Sequence, residues 1–331
     1  MPAPQDPLAT LRRDHGNPDA WDPRTRGGAP HKPLVLLAVC DLAEEGKLDS
    51  PLIPFDGPVA DQLADLFQVY FRALYLDRRG ELLLPLWHLK SDRGSIWTLR
   101  VREGASPLES RPRSLASLVE HYRGADLSEE LHARLMDKDR RDGAREVLLG
   151  TYFDPASHDA LLQRSRWNVQ SESYRNILVD EARSGAVRKR AGIVSASLAM
   201  PEPARSQGFR FAVLDAYGRE CAACGFRVNT PLGRTIVQGA HIKPWSESKD
   251  DRISNGFCLC PTCHSCFDEG LWSVKDLAIR LSPVLELTEN APTYLAALKG
   301  RPLRQPTHSC FHPDPSNFEW HETYMFRSGP I

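Results

Sequence analysis

The chain has 331 residues, 42 Lys and Arg against 43 Asp and Glu, and a formal net charge of −1. That length exceeds what one ordinary core needs, and 41% hydrophobic with 26% charged residues describes a globular, two-domain chain rather than a disordered or fibrous one. The near-neutral total excludes an indiscriminate polycation, and no apolar run reaches the roughly 18–20 residues that span a bilayer.

The first thirty residues are rich in Pro, Gly and Asp and lack an apolar signal core, so a cytoplasmic chain with no membrane partner is expected. A short helix is predicted near Leu8–Arg13. His31–Glu45 carries the apolar run Leu34, Val35, Leu36, Leu37, Val39 and Leu42, with Pro33 suited to a first turn and Gly46 to a stop. Val59–Tyr75, with Leu63, Leu66, Phe67 and Phe71, reads as a second helix. Leu82–Leu89 and Ser95–Val101 read as a hairpin around Ser91-Asp92-Arg93-Gly94. Leu115–Tyr122, Leu127–Asp137 and Asp139–Tyr152 read as helices, which makes residues 1–154 a mixed helix and hairpin domain.

Residues 155–200 read as a polar helical connector, and Ser195–Ser206, with Pro201 and Pro203, as a joint. The charge is unevenly shared: net −4 over 1–154, +3 over 155–200 and 0 over 201–331. Arg183, Arg188, Lys189 and Arg190 make the connector a plausible phosphate contact or a solvated helix end. Residues 201–331 form the second domain. A helix is expected from Phe209, then a CxxC turn, two short strands around Ile236–Ile242, a helix from Pro261 and a strand at Leu277–Leu281. Trp320-His321 in the tail reads as packing. The fold class is α+β.

Six of the eight cysteines fall between Cys221 and Cys266. Cys221-Ala-Ala-Cys224 and Cys260-Pro-Thr-Cys263 are two CxxC knuckles, and four thiolates at about 2.3 Å complete a tetrahedral structural Zn²⁺ site. Cys258 competes for the second knuckle; Cys260 is chosen because it alone is paired in a CxxC.

Between the knuckles lie Ala240-His241-Ile242-Lys243-Pro244-Trp245, Asn255 and His264. The string AHIKPW…SNGFCLCPTCHSCFDEGLW resembles the HNH, or ββα-metal, nucleases in residue type, order and spacing over about Phe209–Trp272. The resemblance implies that His241 is the general base, that Asn255 ties the loop and orients the base, and that His264 binds a catalytic Mg²⁺ or Mn²⁺. Many members carry Asp or His before the base, where this chain has Ala240. Asp268 stands one helical turn after His264 and is expected to help hold the ion or its waters, against a local capping or salt-bridging role.

In the first domain, APHKPLVLLAVCDL (Ala29–Leu42) and LPLWHLKSDRGSIWTL (Leu84–Leu99) resemble the sulfur-binding domain of McrA-like type IV restriction endonucleases. Those enzymes bind phosphorothioated DNA and cut it with a C-terminal HNH domain. The resemblance places Pro85, Leu84 and His88 at an apolar cup and Lys32, beside His31, at the basic position. Arg111 and Arg113 compete to supply a further cation, and Arg93 is positioned to reach a base or phosphate. A soft, weakly hydrated sulfur suits an apolar cup that penalises oxygen. Leu84 departs from the family, because an aromatic residue there would give the pocket a polar edge.

The leading expectation is therefore a phosphorothioate-dependent DNA endonuclease acting on double-stranded DNA to restrict modified foreign DNA. Double-strand cleavage needs two active sites and hence implies a homodimer. The alternatives are an HNH enzyme that reads a modified base or an unmodified sequence, and a non-catalytic zinc-knuckle regulator. An acidic front domain whose affinity is concentrated in a small cup and a few cations predicts a shallow dependence of DNA binding on salt, measurable by titration at several ionic strengths.

Overall fold

The computed structural model describes residues 5–15, 21, 23–184, 197–229, 235–284 and 293–329. Two compact units divide between Val169 and Gln170. Arg188, Lys189 and Arg190 of the predicted connector lie outside the described residues.

The first unit is built around α1 (His31–Glu44), in which every residue from Pro33 to Ala43 is buried. A helix that is apolar all round belongs at the centre of a core. It packs against α2 (Gly57–Leu74), whose buried face includes Leu63, Leu66, Phe67, Tyr70 and Phe71. Gly46 adopts a left-handed φ of 68° just past the helix, and Lys47 N donates to Leu42 O there.

The predicted hairpin does not form. Leu83–His88 is instead a helix, α3, and only Trp97–Val101 is a strand, β2. Pro85 has no N–H for a ladder, whereas the first turn of a helix tolerates it. Leu82, Leu83, Leu86, Trp87 and Leu89 are buried, which is a helical stripe, and Trp97 Nε1 donates to Leu86 O at 3.0 Å. The partner of β2 is β3 (Tyr122–Leu127), a strand between the predicted helices that sequence reading omitted. It runs centrally and antiparallel between β1 (Leu52–Pro54) and β2. Gly124 is required there: a Cβ would lie 2.3 Å from Ile53 O.

The expected helix at Leu8–Arg13 is one 3-10 turn, Pro7–Ala9. α4 (Leu115–His121), α5 (Glu129–Met136) and α6 (Lys138–Tyr152) follow the predicted segments. Residues 155–184 form one long helix, α7 (Pro155–Ser184).

One buried carboxylate ties four of these helices together. Asp41 on α1 is fully buried and accepts from Tyr70 Oη (2.6 Å), Arg145 Nη2 (3.0 Å), Ser165 Oγ (2.6 Å) and Asn168 Nδ2 (2.9 Å). Burial pushes the neighbouring Cys40 thiol up to about 12, which keeps it protonated and inert.

The second unit begins within α7, at Gln170, and continues in α8 (Glu202–Ala216); the predicted joint is helical at 197–199 and again from Glu202, with Pro203 accommodated in the first turn. Only one strand, β4 (Gln238–His241), lies in the Ile236–Ile242 region, where two were predicted. Its partner is β5 (Gly256–Leu259), after the loop. β5 is buried at all four positions and therefore shows no alternation to read. α9 (Pro261–Asp268) follows, then the hairpin β6 (Trp272–Lys275) and β7 (Ala278–Leu281), and α10 (Pro315–Tyr324). Phe257, Phe267, Trp272 and Phe318 form the aromatic core. His321 stacks on Phe267 at 3.6 Å, and burial lowers its pKa to about 4, so it packs as a neutral ring. No helix among the described residues is long and apolar enough to cross a membrane.

Replacing Asp41 by Asn leaves Arg145 only the carboxylates of Glu44 and Asp142 and removes the charge at the centre of the network. The expected cost is about 1–3 kcal/mol, read as an earlier midpoint in urea unfolding.

Candidate active site and DNA-binding cleft

In the second unit, α8 and the β4–β5 hairpin pack closely enough that a Cβ at Gly256 would lie 2.6 Å from Val213. This approach lays the ring of Phe209 against that of His241, with centroids 3.8 Å apart and planes 2° from parallel. His241 ends β4 opposite Gly256 and is partly exposed. Its Nε2 lies 2.7 Å from Asp251 Oδ1.

Asp251 is fully buried in the loop between the two strands. Arg205 Nη1 donates to both its oxygens at 3.0 and 2.9 Å; Tyr174 Oη and Ser197 Oγ reach Oδ2 at 2.9 and 3.1 Å. Burial alone would raise its pKa, but the hydrogen bonds and charges of His241 and Arg205 hold it below the usual carboxylate value.

Asn255 is buried in the turn before β5 and works on the loop backbone. Its Oδ1 accepts from Lys243 N, and its Nδ2 donates to Lys243 O and Asp250 O, all at 2.9 Å. It makes no side-chain hydrogen bond to His241; the ring's polar contact comes from Asp251.

His264 stands on α9, which follows β5 directly. Its Nδ1 lies 2.6 Å from Gln238 Oε1, and its Nε2 lies 3.4 Å from Asp268 Oδ2. β4 thus carries His241 at its end and, through Gln238 at its start, touches His264. His264 and Asp268 offer one nitrogen and one carboxylate on the same helical face, a donor pair that suits an oxygen-loving divalent cation keeping several waters.

The four knuckle cysteines converge. Sγ atoms of Cys221, Cys224, Cys260 and Cys263 all lie within 4.8 Å of one another, and Cys224 and Cys260 are 3.8 Å apart. A regular Zn–S₄ tetrahedron needs S···S distances of about 3.8 Å, so the donor set fits zinc. None of the four forms a disulfide. Cys258 lies on β5 outside the cluster, and its carbonyl accepts from Ala222 N at 2.7 Å, which fastens the first knuckle to the hairpin.

In the first unit a cleft of about 700 Å³ opens at the start of α1. Of the predicted sulfur-pocket residues, His31, Lys32, Leu84, Pro85, His88 and Arg111 line it; Arg93 and Arg113 do not. Arg93 is exposed in the turn Arg93–Ser95, where no hairpin exists. Lys32 Nζ lies 2.6 Å from Asp92, a buried carboxylate that also accepts from Arg12 N. His31 packs among Trp21, Phe67 and Phe71, and burial lowers its pKa to about 4, so its ring is neutral at pH 7. Burial, then the charges of Lys32, Arg111 and Lys90, lower the pKa of His88.

Sequence reading missed Asp251, Phe209 and Gln238 in the second unit and Trp21, Phe71 and Tyr75 in the cleft. The acidic pair Asp250-Asp251 was visible within the His241–Asn255 span, but nothing local distinguishes one from the other.

Two family models match the chain. One, described as HNH endonuclease, covers residues 221–275. The other, described as ScoMcrA-like, DNA sulfur-binding domain, covers residues 18–170. No curated protein sequence matches. Among solved structures, a modification dependent TagI restriction endonuclease is 24% identical, with a TM-score of 0.30, over 42% of this chain and 44% of that one. The chain therefore spans less than half the length of that relative. The type IV phosphorothioation-dependent restriction endonuclease ScoMcrA is 14% identical, with a TM-score of 0.33, over 78% of this chain and 93% of that one. At these scores the overlays establish no shared whole-chain arrangement. The two family matches, each falling on a unit with its own core, assign this chain an N-terminal ScoMcrA-like DNA sulfur-binding domain and a C-terminal HNH endonuclease domain.

Proposed function

We propose that the protein is a modification-dependent DNA endonuclease that binds phosphorothioated double-stranded DNA in the first unit's cleft and hydrolyses phosphodiester bonds at the HNH site. The observation that carries this reading is the pairing, in one chain, of an apolar, arginine-rimmed cleft with an assembled His241, Asn255 and His264 set.

In this reading Leu84 and Pro85 form the apolar floor that accepts sulfur and penalises a hydrated oxygen, and Arg111 supplies cationic donors. Tyr75 and Trp21, from other segments, supply the aromatic edge that Leu84 lacks. At the cutting site His241 takes the proton of the attacking water. Asn255 holds the loop that carries Lys243 beside it. His264 and Asp268 would hold a divalent cation, which stabilises charge on the scissile phosphate and leaving oxygen when bound. Zinc at the four cysteines has a structural role. The aromatic lining of the cleft also favours a second reading, in which the domain accepts a modified base flipped from the stack.

A mobility shift with matched duplexes, with and without a single phosphorothioate, separates these readings. Preferential binding of the sulfur duplex, lost in Arg111→Ala and kept in Arg113→Ala, is expected; equal affinity for both duplexes refutes sulfur recognition. With Mn²⁺ added, His241→Ala is expected to cut at least roughly 10²-fold more slowly while binding DNA normally. Asp268→Ala is expected to need more metal for the same rate; unchanged rate and metal affinity would remove Asp268 from the site. Metal analysis of purified protein is expected to give one zinc per chain, kept in Cys258→Ser and lost in Cys263→Ser.

A further inference from the structure

We propose that Asp251 is a positioning residue for His241: its carboxylate fixes the imidazole with hydrogen on Nε2 and leaves Nδ1 as the nitrogen that takes the water's proton. This inference rests on the reading of His241 as general base.

The geometry carries it in three steps. First, Asp251 is fully buried, and a buried carboxylate persists only where donors meet it. Arg205 spans both oxygens, Tyr174 and Ser197 reach Oδ2, and His241 is the second partner of Oδ1. Second, an ionised carboxylate can only accept hydrogen bonds. At 2.7 Å the imidazole must therefore donate from Nε2, and a neutral ring then carries no hydrogen on Nδ1. Third, the ring cannot swing to exchange its nitrogens. Phe209 lies flat against one face, and Asp251 is itself clamped by Arg205, whose guanidinium stacks on Trp245 at 4.0 Å. Trp245 Nε1 in turn donates to Ser197 Oγ at 3.0 Å, so the carboxylate's partners are locked to one another. Among the described residues Nδ1 has no hydrogen-bond partner, and the side chain is one-fifth exposed, which leaves that nitrogen open to a water.

In the step itself, the water oxygen forms its bond to phosphorus as its proton passes to Nδ1. The bond from phosphorus to the leaving oxygen breaks, and its electron pair departs with that oxygen. The imidazolium that results keeps its Nε2–H bond to Asp251, and the paired carboxylate stabilises the new positive charge. Asn255 shapes the loop and Asp251 aims the ring, so two residues divide the roles of holding the loop and orienting the base.

The test uses the full-length protein with its zinc. Nitrogen-15 NMR of the imidazole, assigned by difference from His241→Ala, reads the tautomer directly in the wild type. Hydrogen on Nε2 at neutral pH is expected; hydrogen on Nδ1 overturns the proposal without any variant having to fold. Asp251→Asn is expected to lower kcat roughly 10²–10⁴-fold with DNA affinity unchanged, and to shift the His241 resonances toward the other tautomer. Ser273→Ala removes a buried hydrogen bond to His321 in the same unit, outside the network around Asp251. It is expected to lower the unfolding midpoint while keeping kcat within about threefold of wild type. Equal losses of kcat in the two variants would make Asp251 merely structural. If His241→Ala itself cuts at the wild-type rate, the assignment of the base fails instead.

Discussion

A carboxylate removed from water must be met by donors on both oxygens, and each unit of this protein is organised around one such group. Asp41 in the first unit and Asp251 in the second are both fully buried. Each has one arginine, one tyrosine hydroxyl and one serine hydroxyl among its partners. The difference lies in the fourth partner. Asp41 takes the amide of Asn168, which cannot titrate, so its network is closed and structural. Asp251 takes the imidazole of His241, which is partly exposed and can accept a proton. The same solution to burying a charge thus holds a core together in one unit and directs a side chain toward solvent in the other.

The same constraint reshapes the electrostatics of the cleft. Lys32 sits in the first turn of α1, where its charge would serve a phosphate, but the buried Asp92 engages it at 2.6 Å. His31 beside it is neutral because it is packed among aromatic rings. Arg13 spends its guanidinium on the carbonyls of Thr25 and Gly28. The exposed cations at the rim are therefore arginines such as Arg12, Arg78, Arg79 and Arg111, while the interior is apolar and close to neutral. Charge at the mouth and apolar surface below suit an anion whose contacting atom is poorly hydrated.

What could be read in the sequence was local. α1 was legible because the apolar run Leu34–Cys40 lies between Pro33 and Gly46, and the four-cysteine cluster because a CxxC turn specifies its own geometry. The histidines and Asn255 were legible because their spacing matched a family. The expected hairpin is not formed because consecutive leucines satisfy either period and Pro85 has no N–H for a ladder. β3 stayed hidden because Gly124 and Asp126 are poor strand formers, tolerated there only because Ile53 and Leu99 pair against Ala125. Asp251 was beyond reach for another reason. Its partners come from positions 174, 197, 205 and 241, which no periodicity links.

The loop between β4 and β5 shows why the nuclease half needs so much scaffolding for so small a site. Thirteen residues, Ile242 to Ser254, separate His241 from Asn255, and little in the loop repeats. Asn255 closes it by bonding Lys243 on both backbone atoms, and Asp250 holds Arg252. Asp251, between them, is thereby delivered beneath His241. A loop ordered this way keeps its geometry through several backbone bonds but presents Asp251 to His241 through a single short contact. Loosening the loop and misaligning His241 are therefore separable failures. The first should appear as lost stability and the second as lost rate, because different atoms carry them.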